Sequence, residues 1–164
     1  MQIRGIDIAS DLEKIVELSV GRDDLHPIEE MERYVRQPHF DPQGFLVAER
    51  DGEIIGYVEG HLGYWQIDTI TDKVIVKDDG EIGCIERVLV HEKHRRKGIG
   101  TALMKSVLEY LKSRGARAVV VAALASEKKE IAAKRLYKKC GFREIYTWKS
   151  REYGEMKMLM VFLV

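Results

Sequence analysis

The sequence is poor in the residues that mark several whole classes of protein. Its 164 residues include only two cysteines, Cys84 and Cys140, and three prolines. Two cysteines cannot build the dense disulfide framework of a small secreted domain, so we expect a reducing, cytoplasmic environment. Little proline together with 45% apolar residues excludes a disordered or fibrous chain and predicts one compact domain over residues 1–164.

Long apolar runs and an excess of positive charge are also missing. The longest apolar stretches, residues 118–125 and 158–164, are far shorter than the roughly 18 residues of a membrane span. The N-terminal segment has no continuous hydrophobic stretch and does not resemble a signal peptide. The 27 basic and 27 acidic residues cancel, which argues against nucleic acid as a partner. We therefore expect neither a membrane nor a nucleic-acid partner.

The charges that are present are unevenly distributed. Residues 7–32 carry nine acidic and two basic side chains, whereas residues 127–139 carry six basic and two acidic ones. Two interpretations explain this pattern equally well. Either the charges form solvated helix faces, or the second half binds a polyanion and the first half faces a cationic ligand.

Hydrophobic periodicity predicts alternating strands and helices. A capping box formed by Ser10 and Glu13 predicts the start of the first helix, and Asp51-Gly52 predicts a tight hairpin. The predicted strands are 1–9, 45–50, 53–62, 83–90, 117–124, 142–148 and 155–162, and the helices are 10–21, 27–37, 98–114 and one that ends at Gly141. Residues 63–82 predict an inserted hairpin around Thr71-Asp72. The fold class is α/β (α+β), a three-layer sandwich with a central mixed, mostly antiparallel sheet of six or seven strands and about four helices; a doubly wound parallel sheet ranks second.

The segment between the fourth main strand and the third helix has the composition of an anion-binding turn. It consists of Arg95, Arg96, Lys97, Gly98, Ile99, Gly100 and Thr101. Glycines let the backbone approach a ligand, and the first amides of a helix point outward at the positive end of its dipole. The pattern predicts a pyrophosphate site, although a glycine-rich helix start without a ligand is the alternative. Both nucleotide fingerprints fail, because the P-loop lysine is replaced by Ile99 and the third dinucleotide glycine by Leu103.

Two motifs together identify a family resemblance. Arg95, Gly98 and Gly100 form R-x-x-G-x-G after the strand IERVLV, and AAKRLYKKCGF follows about 35 residues later. Over residues 45–163 this order resembles the GNAT superfamily of acetyl-coenzyme A (acetyl-CoA) dependent N-acetyltransferases, and loosely its branch that acetylates protein N-termini. The resemblance implies acetyl-CoA as the cosubstrate and transfer of its acetyl group to a primary amine.

The resemblance also implies roles for individual residues. The amides from Arg96 to Thr101 would hold the coenzyme pyrophosphate with Arg95 beside them, and the pantetheine arm would pair with the backbone of the preceding strand, at Val88, Leu89 and Val90. Tyr137 occupies the position of the general acid that protonates the departing thiolate. Glu130 stands where the family usually has an asparagine that contacts the coenzyme, which predicts weaker affinity rather than altered chemistry.

Glu86 is the candidate general base, because it lies in an otherwise apolar strand where burial raises the pKa of a carboxyl group. Its alternative role is to pair with Arg87 or with a cation of a neighbouring strand. For Tyr137 the alternative is a core tyrosine at helical spacing. His91 and His94 lack the spacing of a zinc motif, so we expect no metal.

The acceptor and the assembly are less well defined by the sequence. Family members build the acceptor pocket from the loop between the first two helices and the last hairpin, which suggests Asp23, Asp24, His26, Trp148 and Tyr153. A peptide N-terminus, a lysine side chain and a small-molecule amine all remain open, as do another acyl donor and a hydroxyl acceptor. The main alternative is a CoA-binding sensor or scaffold with little catalysis. Relatives are often dimers, so the resemblance allows a homodimer.

Overall fold

The computed structural model describes residues 1–19, 28–37, 40–67, 74–77, 80–124, 128–149 and 156–164. These residues form nine strands, four α-helices and one short 3-10 helix. The strands are β1 (Gln2–Gly5), β2 (Phe45–Arg50), β3 (Glu53–Leu62), β4 (Tyr64–Ile67), β5 (Val74–Lys77), β6 (Ile82–Val90), β7 (Ala118–Leu124), β8 (Arg143–Lys149) and β9 (Met156–Leu163). The helices are α1 (Ile8–Ser19), α2 (Ile28–Tyr34), α3 (Ile99–Ser113) and α4 (Lys128–Lys139), and the 3-10 helix is Glu92–His94.

Seven of the described strands form one mixed sheet in the order β1-β2-β3-β6-β7-β9-β8. Strands β6 and β7 are parallel, with Ile82–Ile85 paired to Ala118–Val121. The pairs β1–β2, β2–β3, β7–β9 and β8–β9 are antiparallel. The predicted class, a mixed and mostly antiparallel sheet accompanied by four helices, is therefore confirmed for the described part of the chain.

Among the described strands, β4 and β5 pair only with each other, from Tyr64↔Lys77 to Ile67↔Val74. The two strands of the hairpin predicted in residues 63–82 are thus confirmed. Its turn at Thr71-Asp72 lies outside the described residues.

The chain is divided into two compact units that interleave in sequence. The first unit contains residues 1–61 and 87–107, and the second contains residues 62–86 and 108–164. The core of the first unit is built by apolar side chains of α1, α2, β2, β3 and β6, among them Leu12, Ile15, Met31, Phe45, Val47, Tyr57 and Leu89. The expectation of a single domain stays a prediction.

Helix α1 begins earlier than the sequence pattern indicates. It starts at Ile8, and Asp7 is its N-cap, because Asp7 Oδ1 accepts from the amide of Ala9 at 3.1 Å. Ser10 lies inside the first turn and its hydroxyl donates to Asp7 Oδ2 at 2.9 Å. The predicted capping box at Ser10 is therefore wrong: an aspartate three residues upstream takes the same capping role.

The predicted hairpin between β2 and β3 is confirmed. Asp51 and Gly52 have φ angles of 54° and 82°, the two consecutive left-handed residues that a type I′ turn requires.

No described helix is both long and apolar enough to cross a membrane.

Candidate active site

The turn before α3 presents a run of backbone amides. Arg95 is extended, while Arg96 and Gly98 have positive φ angles of 59° and 81°. The first hydrogen bond of the helix runs from the amide of Ala102 to the carbonyl of Gly98, at 3.0 Å. The amides of Gly98, Ile99, Gly100 and Thr101 consequently have no partner within the helix, and they are available to an anion.

Space and side-chain placement in this turn are compatible with a bound diphosphate. A Cβ built on Gly98 would meet no heavy atom within 4 Å, so the protein leaves the region beside this residue open. Lys97 folds back along the turn, with Nζ donating to the carbonyl of Lys93 at 3.1 Å. The bond from Lys97 links the two ends of the turn, and the binding of a pyrophosphate there stays a prediction.

Arg95 links two of the predicted coenzyme-binding segments to each other. Its Nε donates to the carbonyl of Val90 at 3.0 Å, which ties the turn to the last residue of β6. Sequence reasoning assigned Arg95 to the phosphates but gave no sign of this bond. The side chain therefore has a structural role in fixing the turn, in addition to any contact with a ligand.

The end of β6 is positioned by a close approach of β3. A Cβ on Gly56 would lie 2.7 Å from the carbonyl oxygen of Leu89 and 3.3 Å from Cα of Val90, so only glycine fits there. Leu89 points into the core, whereas Val88 and Val90 are half-buried. The parallel register of β6 with β7 ends at Ile85–Val121, before these three residues.

His94 is the last residue of the 3-10 helix that precedes the turn. Its ring packs edge-on against that of His91, with the centroids 5.7 Å apart, and its Nδ1 is buried. Burial lowers the pKa of His94, and the positive charges of Lys97 and Arg50 lower it further. At neutral pH His94 is therefore uncharged and adds no positive charge to the turn.

In the second unit, Glu86 and Cys84 lie two residues apart on one face of β6. The Cys84 thiol donates to Glu86 Oε1 at a sulfur–oxygen distance of 3.7 Å. Cys84 is fully buried and Glu86 is half-buried. Glu86 thus lies beside a buried thiol, and its role as a base stays a prediction.

Tyr137 sits at a fixed point in the last turn of α4. The helix ends in a Schellman motif, in which the amide of Phe142 bonds the carbonyl of Tyr137 and the amide of Gly141 bonds that of Lys138, both at 3.0 Å. Gly141 has φ 95°, and the rings of Tyr137 and Phe142 are 5.9 Å apart. Tyr137 is 5% exposed. The motif fixes the backbone that carries Tyr137, and the role of Tyr137 as the general acid stays a prediction.

Helix α4 is also tied to β8 by charges. Glu144 Oε1 accepts from Lys134 Nζ at 2.8 Å and from Lys138 Nζ at 2.9 Å, and these bonds lower the pKa of Glu144. Two basic side chains of the cluster at residues 127–139 therefore form salt bridges inside the second unit. Lys134 and Lys138 are thus paired with Glu144, and the choice between a solvated helix face and a polyanion site stays open.

Several predicted site residues cannot be placed in this geometry. Glu130 lies in α4, but its side chain is outside what the structure describes, as are Asp23, Asp24, His26 and Tyr153. Trp148 is buried and stacks on Tyr146, with the ring centroids 6.1 Å apart. An acceptor pocket built from these residues stays a prediction.

Known proteins resemble this chain in both sequence and fold. A mycothiol acetyltransferase of Thermobispora bispora is 35% identical over 115 residues, which cover 70% of this chain and 35% of that protein. An N-alpha-acetyltransferase of Sulfurisphaera tokodaii is 34% identical over 107 residues, covering 62% of this chain and 57% of that protein. The chain thus spans about a third to somewhat over half the length of these relatives.

The fold matches solved structures over nearly the whole chain. The crystal structure of an aminoglycoside 6'-N-acetyltransferase complexed with coenzyme A superposes with a TM-score of 0.74 at 14% identity, covering 99% of this chain and 97% of that one. The profile of the Acetyltransferase (GNAT) family matches residues 12–142. These findings confirm the resemblance seen in the sequence motifs, and the chain belongs to the Acetyltransferase (GNAT) family.

Proposed function

We propose that this chain transfers an acetyl group from acetyl-CoA to a primary amine. The observation that carries the proposal is the run of outward amides from Gly98 to Thr101, set by two positive φ angles at the start of α3 in a GNAT family member. Helix N-termini of this kind bind phosphate groups. A solved relative in fold is complexed with coenzyme A, which agrees with the ligand proposed for the turn.

The coenzyme would be held by backbone groups more than by side chains. The amides of residues 96–101 would hold the pyrophosphate, and β6 at Val88 and Leu89 would pair with the pantetheine arm as another strand does. The carbonyl of Val90 already accepts one bond from Arg95, which uses one of its two lone pairs. When bound, acetyl-CoA supplies the thioester whose acyl carbon the amine attacks.

Two side chains would transfer the protons. Glu86 would accept a proton from the ammonium group of the acceptor, directly or through water, and Tyr137 would donate one to the departing thiolate. An alkylamine with a pKa of about 10.4 costs roughly 4.6 kcal/mol to deprotonate at pH 7, but an α-amine with a pKa of about 8 costs only about 1.4 kcal/mol. A weak base such as Glu86 is therefore sufficient to deprotonate an α-amine. A lysine side chain would need a stronger base.

The names of the relatives agree with this range of acceptors. One is called an N-alpha-acetyltransferase and another a mycothiol acetyltransferase. We propose an amine acceptor in general, with a peptide α-amine as the first to test. The cytoplasmic location and a homodimer stay predictions.

The proposal is tested by measuring thiol release from acetyl-CoA with a panel that contains a peptide α-amine, a lysine side chain, a polyamine and an aminoglycoside. Amine-dependent thiol release with a matching mass increase of the acceptor is the expected result. Calorimetric binding of CoA with no release for any amine would instead favour the sensor or scaffold.

A substitution at Gly98 tests whether the turn binds CoA, and a second glycine variant serves as the control for backbone strain. Gly98→Ala forces a side chain into a left-handed conformation, at about 1 kcal/mol of folding stability, and its Cβ projects into the open space beside the amides. We expect the CoA dissociation constant to rise about tenfold, equivalent to about 1.4 kcal/mol. Isothermal titration calorimetry measures the affinity.

Gly52→Ala is the matched control, because Gly52 has a similar φ of 82° and equally open surroundings but lies in the β2–β3 hairpin. It should lower the melting temperature by a similar amount and leave CoA affinity unchanged. An equal loss of affinity in both variants would show that strain, and not the turn, is responsible.

A further inference from the structure

The thiol of Cys84 lies within hydrogen-bond distance of the Glu86 carboxylate. Alternation along β6 puts both side chains on one face, and the thiol donates to Glu86 Oε1 at 3.7 Å. The backbone that carries Cys84 is well fixed, since Cys84 pairs with Val120 of β7 in the parallel register. The preceding Gly83 packs closely, because a Cβ there would lie 3.0 Å from Leu111 Cδ1 and 3.3 Å from Val119 Cγ2. A rigid strand therefore presents the donor to one oxygen of the carboxylate.

We propose that Cys84 is a positioning residue for Glu86 in the acetyl transfer, and this inference rests on the proposed function of Glu86 as the base. A bond to Oε1 fixes the plane of the carboxylate and with it the direction of Oε2. A base is efficient only when its acceptor atom lies within hydrogen-bond reach of the proton that it removes. Cys84 thus favours the rotamer of the half-buried Glu86 side chain in which Oε1 faces the thiol.

A buried cysteine is more often a small apolar side chain than a donor. If Cys84 only filled space, its replacement by alanine would lower stability and leave the chemical step unaffected. If it orients Glu86, alanine lowers kcat, and serine, which keeps a hydroxyl donor at nearly the same place, restores it. The two roles therefore differ in which kinetic constant changes and in whether serine rescues the loss.

The experiment compares Cys84→Ala, Cys84→Ser and Cys140→Ala in the full chain. We expect Cys84→Ala to lower kcat about tenfold, as a misoriented catalytic group does, with the acceptor KM and the CoA dissociation constant within about twofold. Cys84→Ser should recover kcat to within about threefold of the wild type. Cys140→Ala, which removes the other cysteine, should change neither constant.

A double-mutant cycle identifies Glu86 as the group through which Cys84 acts. Glu86→Gln should lower kcat by at least about tenfold. Adding Cys84→Ala to it should lower kcat by less than about twofold further, because Cys84 would act only through Glu86. Full additivity would overturn the proposal. If Glu86→Gln keeps wild-type turnover, the base assignment itself fails; if Glu86→Gln is slow but Cys84→Ala is normal, only the positioning role fails.

One measurement is independent of turnover. In a Cys140→Ala background, the single remaining S–H stretching band in the infrared spectrum belongs to Cys84. A hydrogen bond to the carboxylate shifts this band, so Glu86→Gln should move it. A band that Glu86→Gln leaves in place would contradict the bond, and with it the inference, whatever the acceptor.

Discussion

Replacing Tyr137 by phenylalanine is expected to lower kcat about 100-fold and to leave the CoA dissociation constant within about twofold. The substitution removes only the phenol hydroxyl, the proposed proton donor to the departing thiolate. Because the ring packs against Phe142 and the Schellman motif uses only backbone groups, the helix end should keep its geometry. Single-turnover thiol release and calorimetry measure the two quantities separately.

Tyr146→Phe is the matched control for this experiment. Tyr146 lies in the same unit but is 55% exposed on β8 and has no proposed role. It should retain wild-type turnover. If Tyr137→Phe also retained it, Tyr137 would be the core tyrosine of the alternative interpretation, and another group would have to supply the proton.

The second large effect concerns the stability of the first unit. Arg4 makes a two-pronged bond to Asp11, with Nη1–Oδ2 at 2.6 Å and Nη2–Oδ1 at 3.0 Å, and the Asp11 side chain is only 1% exposed. Asp11 also accepts from the amide of Asp7 at 2.9 Å. Arg4→Met leaves this buried carboxylate without its cation. We expect the free energy of unfolding at pH 7 to fall by about 3 kcal/mol.

The pH dependence of this effect has a definite sign. The hydrogen bond from Arg4 holds the pKa of Asp11 below its ordinary value of 3.8, with the Asp7 amide acting in the same direction. A lowered carboxyl pKa contributes stability that is fully present above pH 3.8 and is lost as the pH falls through the folded-state value. The difference between the wild type and Arg4→Met should therefore be constant from pH 7 to about pH 5 and shrink below pH 4.

Urea unfolding at a series of pH values measures this difference. Glu49→Gln is the control, because Glu49 also binds Arg4, at 2.6 Å, but is 30% exposed. As a partly exposed ion pair, it should cost less than about 1 kcal/mol. A difference between the wild type and Arg4→Met that stays the same down to pH 3 would show that lost packing, and not the charge of Asp11, causes the destabilisation.

Features decided by a few neighbouring residues were predictable from the sequence. Asp51-Gly52 forms the expected hairpin, and Gly115 and Gly141 close α3 and α4 with φ angles of 99° and 95°. These positions depend on the left-handed conformation, which glycine adopts at little cost. The turn at Gly98 is predictable too, because its glycines and the helix that follows are adjacent in the chain.

Features that depend on competition or on distant contacts were not predictable. Asp7 and Ser10 are both good helix caps, and only the structure shows that Asp7 caps the helix while Ser10 donates to it. The bond from Arg95 to Val90 and that from Cys84 to Glu86 need side-chain geometry that spacing does not fix. The acceptor side is the least predictable, since the sequence around Asp23, Asp24, His26 and Tyr153 has no hydrophobic periodicity.

A titration of the isotope-labelled chain with coenzyme A, followed by the ¹H–¹⁵N NMR signals of the backbone, tests the proposed coenzyme site most directly. The amides of Gly98, Ile99, Gly100 and Thr101 should show the largest shifts, and these should saturate together at the affinity measured by calorimetry. Saturable binding that leaves these four amides unmoved, or no binding at all, would contradict the phosphate-binding turn and the function proposed from it.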